Sequence, residues 1–535
     1  MSKKDYLYEL VQSLDKSEKR YFNVYFSTNK KESKHLILFK AIEKATEYDE
    51  NKLKASIKDT YIQKHFAETK YYLYQQILKV LKDYRADNSI DNILLDKIQN
   101  IEILIQKALF EQAINELNKA KKMAYDYERF EFLLLLFSYQ NKIIVSTRLQ
   151  GYTANELSEF WLEKSEAFKN FFDTQTARHK VMQLMESKNR IGYIKTKSDK
   201  QFYTNIKTAI DELLKNANCT IAKIYALESL AFFYNHTGDK KQQNFYSKKL
   251  IELHTKNPSI NASNPYQLAS AIHNVCLSEI NLFNFDAAYK WITTQQAYLS
   301  IIQNDAEIKY KVEWSLASLQ SYFYNVSGRF SEANNAVKKI INWIENTENL
   351  DQRSKWIFYG NCAEIALGAK DFKTFFYCMH KIQAFWQQID SYNKINYTIL
   401  QMLAHIDEKD IDAALYSYNF LEKELLHIRQ GNPSAVEQLL MDFFTALKDK
   451  KNKKSLNQLI KDTQLAINTL EYDLQTGEFE YALWLEQMLT KNSYENLVRQ
   501  KRQLQANEYA KFWNDDIIIE LDVNEFKKSL PKRIR

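Results

Sequence analysis

Apolar positions recur along this chain at helical spacing almost from its first residues. In the stretch "SLDKSEKRYFNVYF", Ser13 to Phe26, Asp15 and Glu18 stand three apart, the spacing of a capping box. A helix is therefore predicted to begin at Asp15. At 100° per residue, Lys16, Lys19, Arg20, Asn23 and Ser27 share roughly a 100° arc. Tyr21, Phe22, Val24, Tyr25 and Phe26 take most of the remainder and are expected to be buried by neighbouring helices. The matching stripe is Leu73, Ile77, Val80, Leu81 and Tyr84 of "YYLYQQILKVLKDY". Both helices are assigned to one small N-terminal bundle, and the Lys16–Lys19–Arg20 strip is left exposed, joined by Lys30, Lys31 and Lys34.

Beyond this bundle the pattern repeats. Its unit is a helix, a tight polar turn, an aromatic or aliphatic residue, and three positions later a small residue opening the next helix. The clearest copy is "SYFYNVSGRFSEANNAVKKII", with Ser321, Tyr324, Gly328, Phe330 and Ala333. Gly328 suits the left-handed residue that closes a helix, and Ala333 allows two helices to approach closely. Weaker copies carry Phe110 and Ala113, Tyr234 and Gly238, Phe285 and Ala288, Ile411 and Ala414, and Phe479 and Ala482. The position equivalent to Ala333 falls at 113, 243, 288, 333, 375, 414 and 482, near-regular between 243 and 414. Units that cannot bury their faces alone must stack, and around ten hairpins of about 42 residues would account for the length. Near the end, "DDIIIELDV" breaks the helical period and reads as a strand or extended segment, followed by a basic tail.

The small–x2–Tyr, Gly, aromatic, Ala pattern resembles the tetratricopeptide repeat, although the spacing here exceeds that family's usual period of about 34. The segment "LVQSLDKSEKRYF…LFKAIEKATEYDENKLKASI…KYYLYQQILKVLKDY" resembles the opening of an uncharacterised family of bacterial tetratricopeptide-like proteins. The resemblance implies an all-α fold, a right-handed superhelix of antiparallel helical hairpins, and no established activity. The expected division is an N-terminal helical bundle or cap over 1–90, tetratricopeptide-like repeats over 91–514, and an extended C-terminal segment with its basic tail over 515–535.

Composition supports the all-helical reading. The 535 residues include only eight Gly and four Pro, too few for the turns that sandwiches and phosphate loops need. Aromatics make up 14% of the chain, and Tyr and Phe at this level serve to fill gaps between long helices. The formal charge of +7 is unevenly spread: +5 over residues 1–90, −1 over 91–498 and +3 over 499–535. Mild basicity at both ends fits an acidic partner and falls short of a dedicated nucleic-acid domain.

Chemistry is sparse. The four cysteines, Cys219, Cys276, Cys362 and Cys378, lack disulfide density or metal spacing and read as reduced, buried thiols. A zinc site using Cys362, Cys378 and His380 would want a close Cys pair, and no two histidines have the zinc-protease spacing. "GNCAEIALGAKD" lacks the ending of a phosphate loop and reads as small residues at helix crossings. Asp515–Asp516 reads as a helix-end feature rather than a catalytic dyad. Asp5 and Glu9 interrupt what a signal peptide would need, and the apolar run at 130–137 is too short to span a membrane. The expectation is a cytoplasmic, non-enzymatic scaffold or adaptor without a cofactor, binding a protein or peptide. The alternative is a nucleic-acid-associated regulator gripping phosphate through Lys16, Lys19 and Arg20.

Overall fold

Helix-forming sequence dominates the computed structural model, which describes residues 5–27, 34–85, 89–191, 197–302, 306–347, 350–427, 435–449, 451–470 and 479–513. Among these residues there are α-helices and short 3-10 turns and no strands. The "DDIIIELDV" segment and the basic tail lie outside the described residues. The chain divides into two compact units, one reaching Phe171 and the other starting at Phe172. This division falls inside one long helix.

The first unit opens with six helices: α1 Tyr6–Ser13, α2 Lys16–Ser27, α3 Lys34–Lys44, α4 Glu50–Ser56, α5 Thr60–Lys64 and α6 Phe66–Arg85. Aspartates cap several of them. The Asp5 carboxylate accepts the Tyr8 amide at 3.0 Å, and Asp49 and Asp59 do the same for α4 and α5. At α2 the capping box is present in full. Asp15 Oδ1 accepts the Ser17 and Glu18 amides, and Glu18 Oε2 accepts the Asp15 amide at 3.1 Å. Helices α1, α2 and α3 all pack on α6, whose Leu73, Ile77 and Val80 join Val11, Phe22, Leu38 and Phe39 in one core. Three further helices, α7 Ile90–Gln106, α8 Phe110–Asp126 and α9 Phe130–Ser146, pack in succession, and α10 Ala154–Ile191 begins in this unit.

The aromatic face of α2 departs from expectation. Phe22 is buried and stacks on Phe39 with centroids 4.4 Å apart, and Phe26 is half-buried. Tyr21, Val24 and Tyr25 are exposed, at 36%, 57% and 40%. The reason is that α2 is covered from one side only. Glu18, Phe22 and Phe26 follow one stripe, and that stripe is what α3 and α6 bury.

The second unit continues with α11 Lys197–Asn216, α12 Thr220–Thr237, α13 Lys240–Lys256, α14 Pro258–Ser263, α15 Pro265–Asn281, α16 Phe285–Ile301 and α17 Ala306–Ser327. It is completed by α18 Asn334–Asn346, α19 Gln352–Gly368, α20 Phe372–Gln383, α21 Ser391–Asp407, α22 Ile411–His427, α23 Ala435–Lys448, α24 Leu456–Asn468, α25 Tyr481–Leu489 and α26 Tyr494–Tyr509. Pro258 and Pro265 sit in the first turn of their helices, where no amide partner is lost. Consecutive helices pair as hairpins, α12 with α13, α15 with α16, α19 with α20, α21 with α22.

One turn geometry joins these pairs. Gly238, Phe283, Gly328, Lys370 and Lys409 all have positive φ, at spacings of 45, 45, 42 and 39 residues. At Phe283, Lys370 and Lys409 the next amide reaches back to close the helix, as in Asn284 N to Glu279 O at 2.9 Å and Asp371 N to Ala366 O at 2.8 Å. That is a Schellman closure. Five residues after each left-handed residue comes the position marked in sequence as 243, 288, 333, 375 or 414, and all five side chains are buried. Ala113 stands in the same relation to Ala108.

Helix crossings explain two glycines of "GNCAEIALGAKD". A Cβ on Gly360 would lie 2.1 Å from the Tyr397 hydroxyl, and one on Gly368 would lie 2.6 Å from the Phe330 ring. The last helix does not simply end the series. α26 packs back onto α17: Arg502 Nε donates to Val326 O at 2.8 Å, Arg499 Nε to Gly328 O at 3.3 Å, and Trp513 Nε1 to Leu282 O at 3.0 Å.

Candidate partner-binding groove

The basic strip of α2 meets one face of α3. Leu36, Lys40 and Glu43 are spaced by four and three residues, so one α3 face carries them all. With Lys16, Lys19, Arg20, Asn23 and Val24 they line an open depression of about 490 Å³. Val24 supplies its exposed apolar surface, Leu36 lies buried beneath in the core, and Glu43 is its only carboxylate. The orientation of α2 is fixed at its start. Glu18, only 3% exposed, completes the capping box and also accepts the Arg85 guanidinium, Nε at 2.9 Å and Nη2 at 2.5 Å. This pair ties the first turn of α2 to the last turn of α6 and turns Lys16, Lys19 and Arg20 away from the core.

Lys16 and Arg20 are exposed and Lys19 is half-buried, and among the described residues none of the three has an ion pair. Three cations within two helical turns repel one another, an interaction that an anionic partner would relieve. Asn23 is turned inward: its Nδ2 donates to Lys19 O at 2.8 Å, and its Oδ1 is buried without a donor.

Lys34 belongs elsewhere. Its ammonium lies 3.2 Å from the centre of the Tyr61 ring, over α5, and it does not line the groove. Lys30 and Lys31 lie outside the described residues. Lys40 was missed in sequence, although its position four after Leu36 on an amphipathic helix marks it. Missed too was the apolar contribution of Val24, which the wheel had assigned to the buried side.

A second depression, about 680 Å³, lies on the other side of α3 against α4 and α5, floored by Ile37, Ala41, Leu53 and Ile57. Its carboxylates are already engaged. Lys52 pairs with Glu47 at 3.0 Å and with Asp49 at 3.7 Å, and Asp49 and Asp59 are spent as helix caps. The two depressions share Lys40; what sets the first apart is the α2 strip, whose Lys16, Lys19 and Arg20 have no ion pair among the described residues.

All four cysteines are buried, and burial pushes the thiols of Cys276, Cys362 and Cys378 up, away from thiolate chemistry. Among the described residues no group of three or more His, Cys, Asp or Glu side chains could hold a metal ion, and no helix is long and apolar enough to cross a membrane. Comparison with protein-family models, with curated proteins and with solved structures finds no match to this chain.

Proposed function

We propose that this protein is a non-enzymatic scaffold of tetratricopeptide-like helical hairpins that engages a protein partner in the cytoplasm of a bacterium. Its N-terminal bundle docks an acidic segment of that partner in the α2–α3 groove. The observation that carries this reading is the convergence of Lys16, Lys19 and Arg20, free of ion pairs among the described residues, with Lys40 on a depression that also offers the exposed Val24. Protein recognition uses both an apolar contact and a charged rim, whereas a phosphate backbone needs the charge alone. For the recurring hairpins of the second unit we infer a right-handed superhelix.

A second reading has its own support. Tyr21 and Tyr25 are exposed on the helix that carries the cations, so a nucleic-acid-associated role is not removed by burial of its rings. Fluorescence anisotropy separates the two. The scaffold reading expects an acidic peptide with an apolar residue to bind and to lose affinity when Lys16, Lys19 and Arg20 become Ala. Duplex or single-stranded DNA should bind more weakly than the peptide at about 0.15 M salt. Tighter binding to DNA, with a steep salt slope flattened by the same substitutions, would favour the regulator instead.

A further inference from the structure

A second groove lies in the other unit, between the later helices of two consecutive repeats. α18 turns Lys338, Ile341, Asn342 and Glu345 to one side, and α20 answers with Lys373, Thr374, Phe376, Tyr377 and His380. The spacings of three, four and seven residues put each set on a single helical face. The opposite face of α18, with Val337, Ile340 and Ile344, is buried in the core. The gap between the two faces is about 650 Å³, within the usual span of roughly 300–1,000 Å³ for ligand-sized sites.

Its floor is apolar. Ile341 and Phe376 are half-buried against the core, Phe376 rests on the His405 ring at 4.8 Å, and Tyr377 is 40% exposed. Its charge is one-sided. Glu345 is the only carboxylate among the lining residues, and it is already engaged, accepting the Tyr377 hydroxyl and pairing with Lys381 at 3.1 Å. Those partners hold its carboxyl below the usual glutamate range, Tyr377 first and Lys381 next. Thr374 is likewise spent, donating its amide and hydroxyl to the α20 cap Asp371. Lys338 and Lys373 are exposed, and among the described residues neither has an ion pair. The groove therefore presents two uncompensated ammonium groups and an imidazole around an apolar floor.

We propose that the α18–α20 groove is a docking site for an acidic segment of a partner protein, with one large apolar side chain seated on Ile341, Phe376 and Tyr377. Carboxylates flanking that side chain pair with Lys338 and Lys373. Charge complementarity selects this occupant: a basic or neutral segment gains nothing from the rim, and Glu345 is not free to receive it. The proposal shares with the scaffold reading only the protein nature of the partner and stands apart from the α2–α3 groove.

The test pans a randomised peptide library over the full chain carrying Lys16→Ala, Lys19→Ala and Arg20→Ala, so that the first groove is removed from the selection. The expected winners carry Asp or Glu around a single Leu, Phe or Trp. Their affinity should fall about tenfold or more in Lys338→Glu/Lys373→Glu, and about tenfold when the apolar residue of the peptide is replaced by Ala. Both lysines are exposed, so the thermal melt of the variant should match that of its parent. Winners lacking acidic residues, binding indifferent to the double substitution, or equal affinity for the Ala-substituted peptide would each overturn the proposal. So would a preference of the same groove for single-stranded RNA over every peptide, read as anisotropy lost in the Lys338→Glu/Lys373→Glu variant. Failure here leaves the first groove untouched, because binding there is read in the chain that retains Lys16, Lys19 and Arg20.

Discussion

Replacing Gly328 with Ala tests the return of the C-terminal helix onto the middle of the second unit. Gly328 has φ +69, and a Cβ there would stand 2.7 Å from Val498 Cγ1, 3.0 Å from Val498 Cβ and 3.3 Å from the Arg499 amide. Two costs add. A left-handed non-glycine residue costs about 1–2 kcal/mol, and forcing a methyl into a packed contact costs about 1–3 kcal/mol more. The expected loss is therefore about 2–5 kcal/mol. Gly238 provides the control, because its φ is +81 and nothing lies within 4 Å of its Cβ. Gly238→Ala should lose only the backbone part, about 1–2 kcal/mol. Val498 is 1% exposed, so Val498→Ala should cost about 2 kcal/mol alone. It should nevertheless cost less than that in the Gly328→Ala background, where it relieves the clash. Urea denaturation followed by circular dichroism on the four variants yields the coupling directly. If Gly328→Ala loses no more than Gly238→Ala and the double variant is additive, α26 does not pack where the structure puts it.

Two further outcomes follow from buried polar groups. Arg85→Ala leaves the Glu18 carboxylate buried with only its capping-box partner, and a loss of about 1–3 kcal/mol is expected; Arg85→Ala with Glu18→Gln should recover part of it, and a more stable Arg85→Ala variant would contradict the role given to this pair. His254 and His273 are buried, and desolvation lowers both to about 4, against weaker opposing bonds to Asn261 and Ser315. The folded chain thus resists protonation that the unfolded chain accepts near pH 6.5. Their contribution is full above pH 6.5 and lost as pH falls toward 4, at up to about 1.4 kcal/mol per pH unit for each. Urea midpoints measured from pH 7.5 to 4.5 should fall more steeply for the native chain than for His254→Gln/His273→Gln; equal slopes would refute this.

The repeat register was legible because the turn geometry is fixed. A helix closed by a left-handed residue puts the fifth residue after it where the next helix crosses, and this is why the intervals read from 243 to 414 reappear in the φ values. Glycine alone would have found two of those five turns. Phe283, Lys370 and Lys409 adopt positive φ without glycine's freedom, held by Schellman bonds and by packing that no local window shows. The return of α26 was not legible for a related reason. Arg499 and Arg502 look like ordinary surface residues of a polar helix, and their carbonyl acceptors lie more than 170 residues earlier. At the groove, the wheel located Lys16, Lys19 and Arg20 correctly on one strip. It misjudged Tyr21, Val24 and Tyr25, since a wheel shows which residues share a face but not how many neighbours cover the helix.

The central claim is that the α2–α3 groove receives an acidic protein segment. A photo-cross-linking residue in place of Val24, which is 57% exposed at the groove, interrogates that surface in living cells. The account predicts one protein adduct, cross-linked through a stretch rich in Asp and Glu, that disappears when Lys16, Lys19 and Arg20 are changed to Ala. An adduct unchanged by those substitutions, or one formed with nucleic acid, would contradict it.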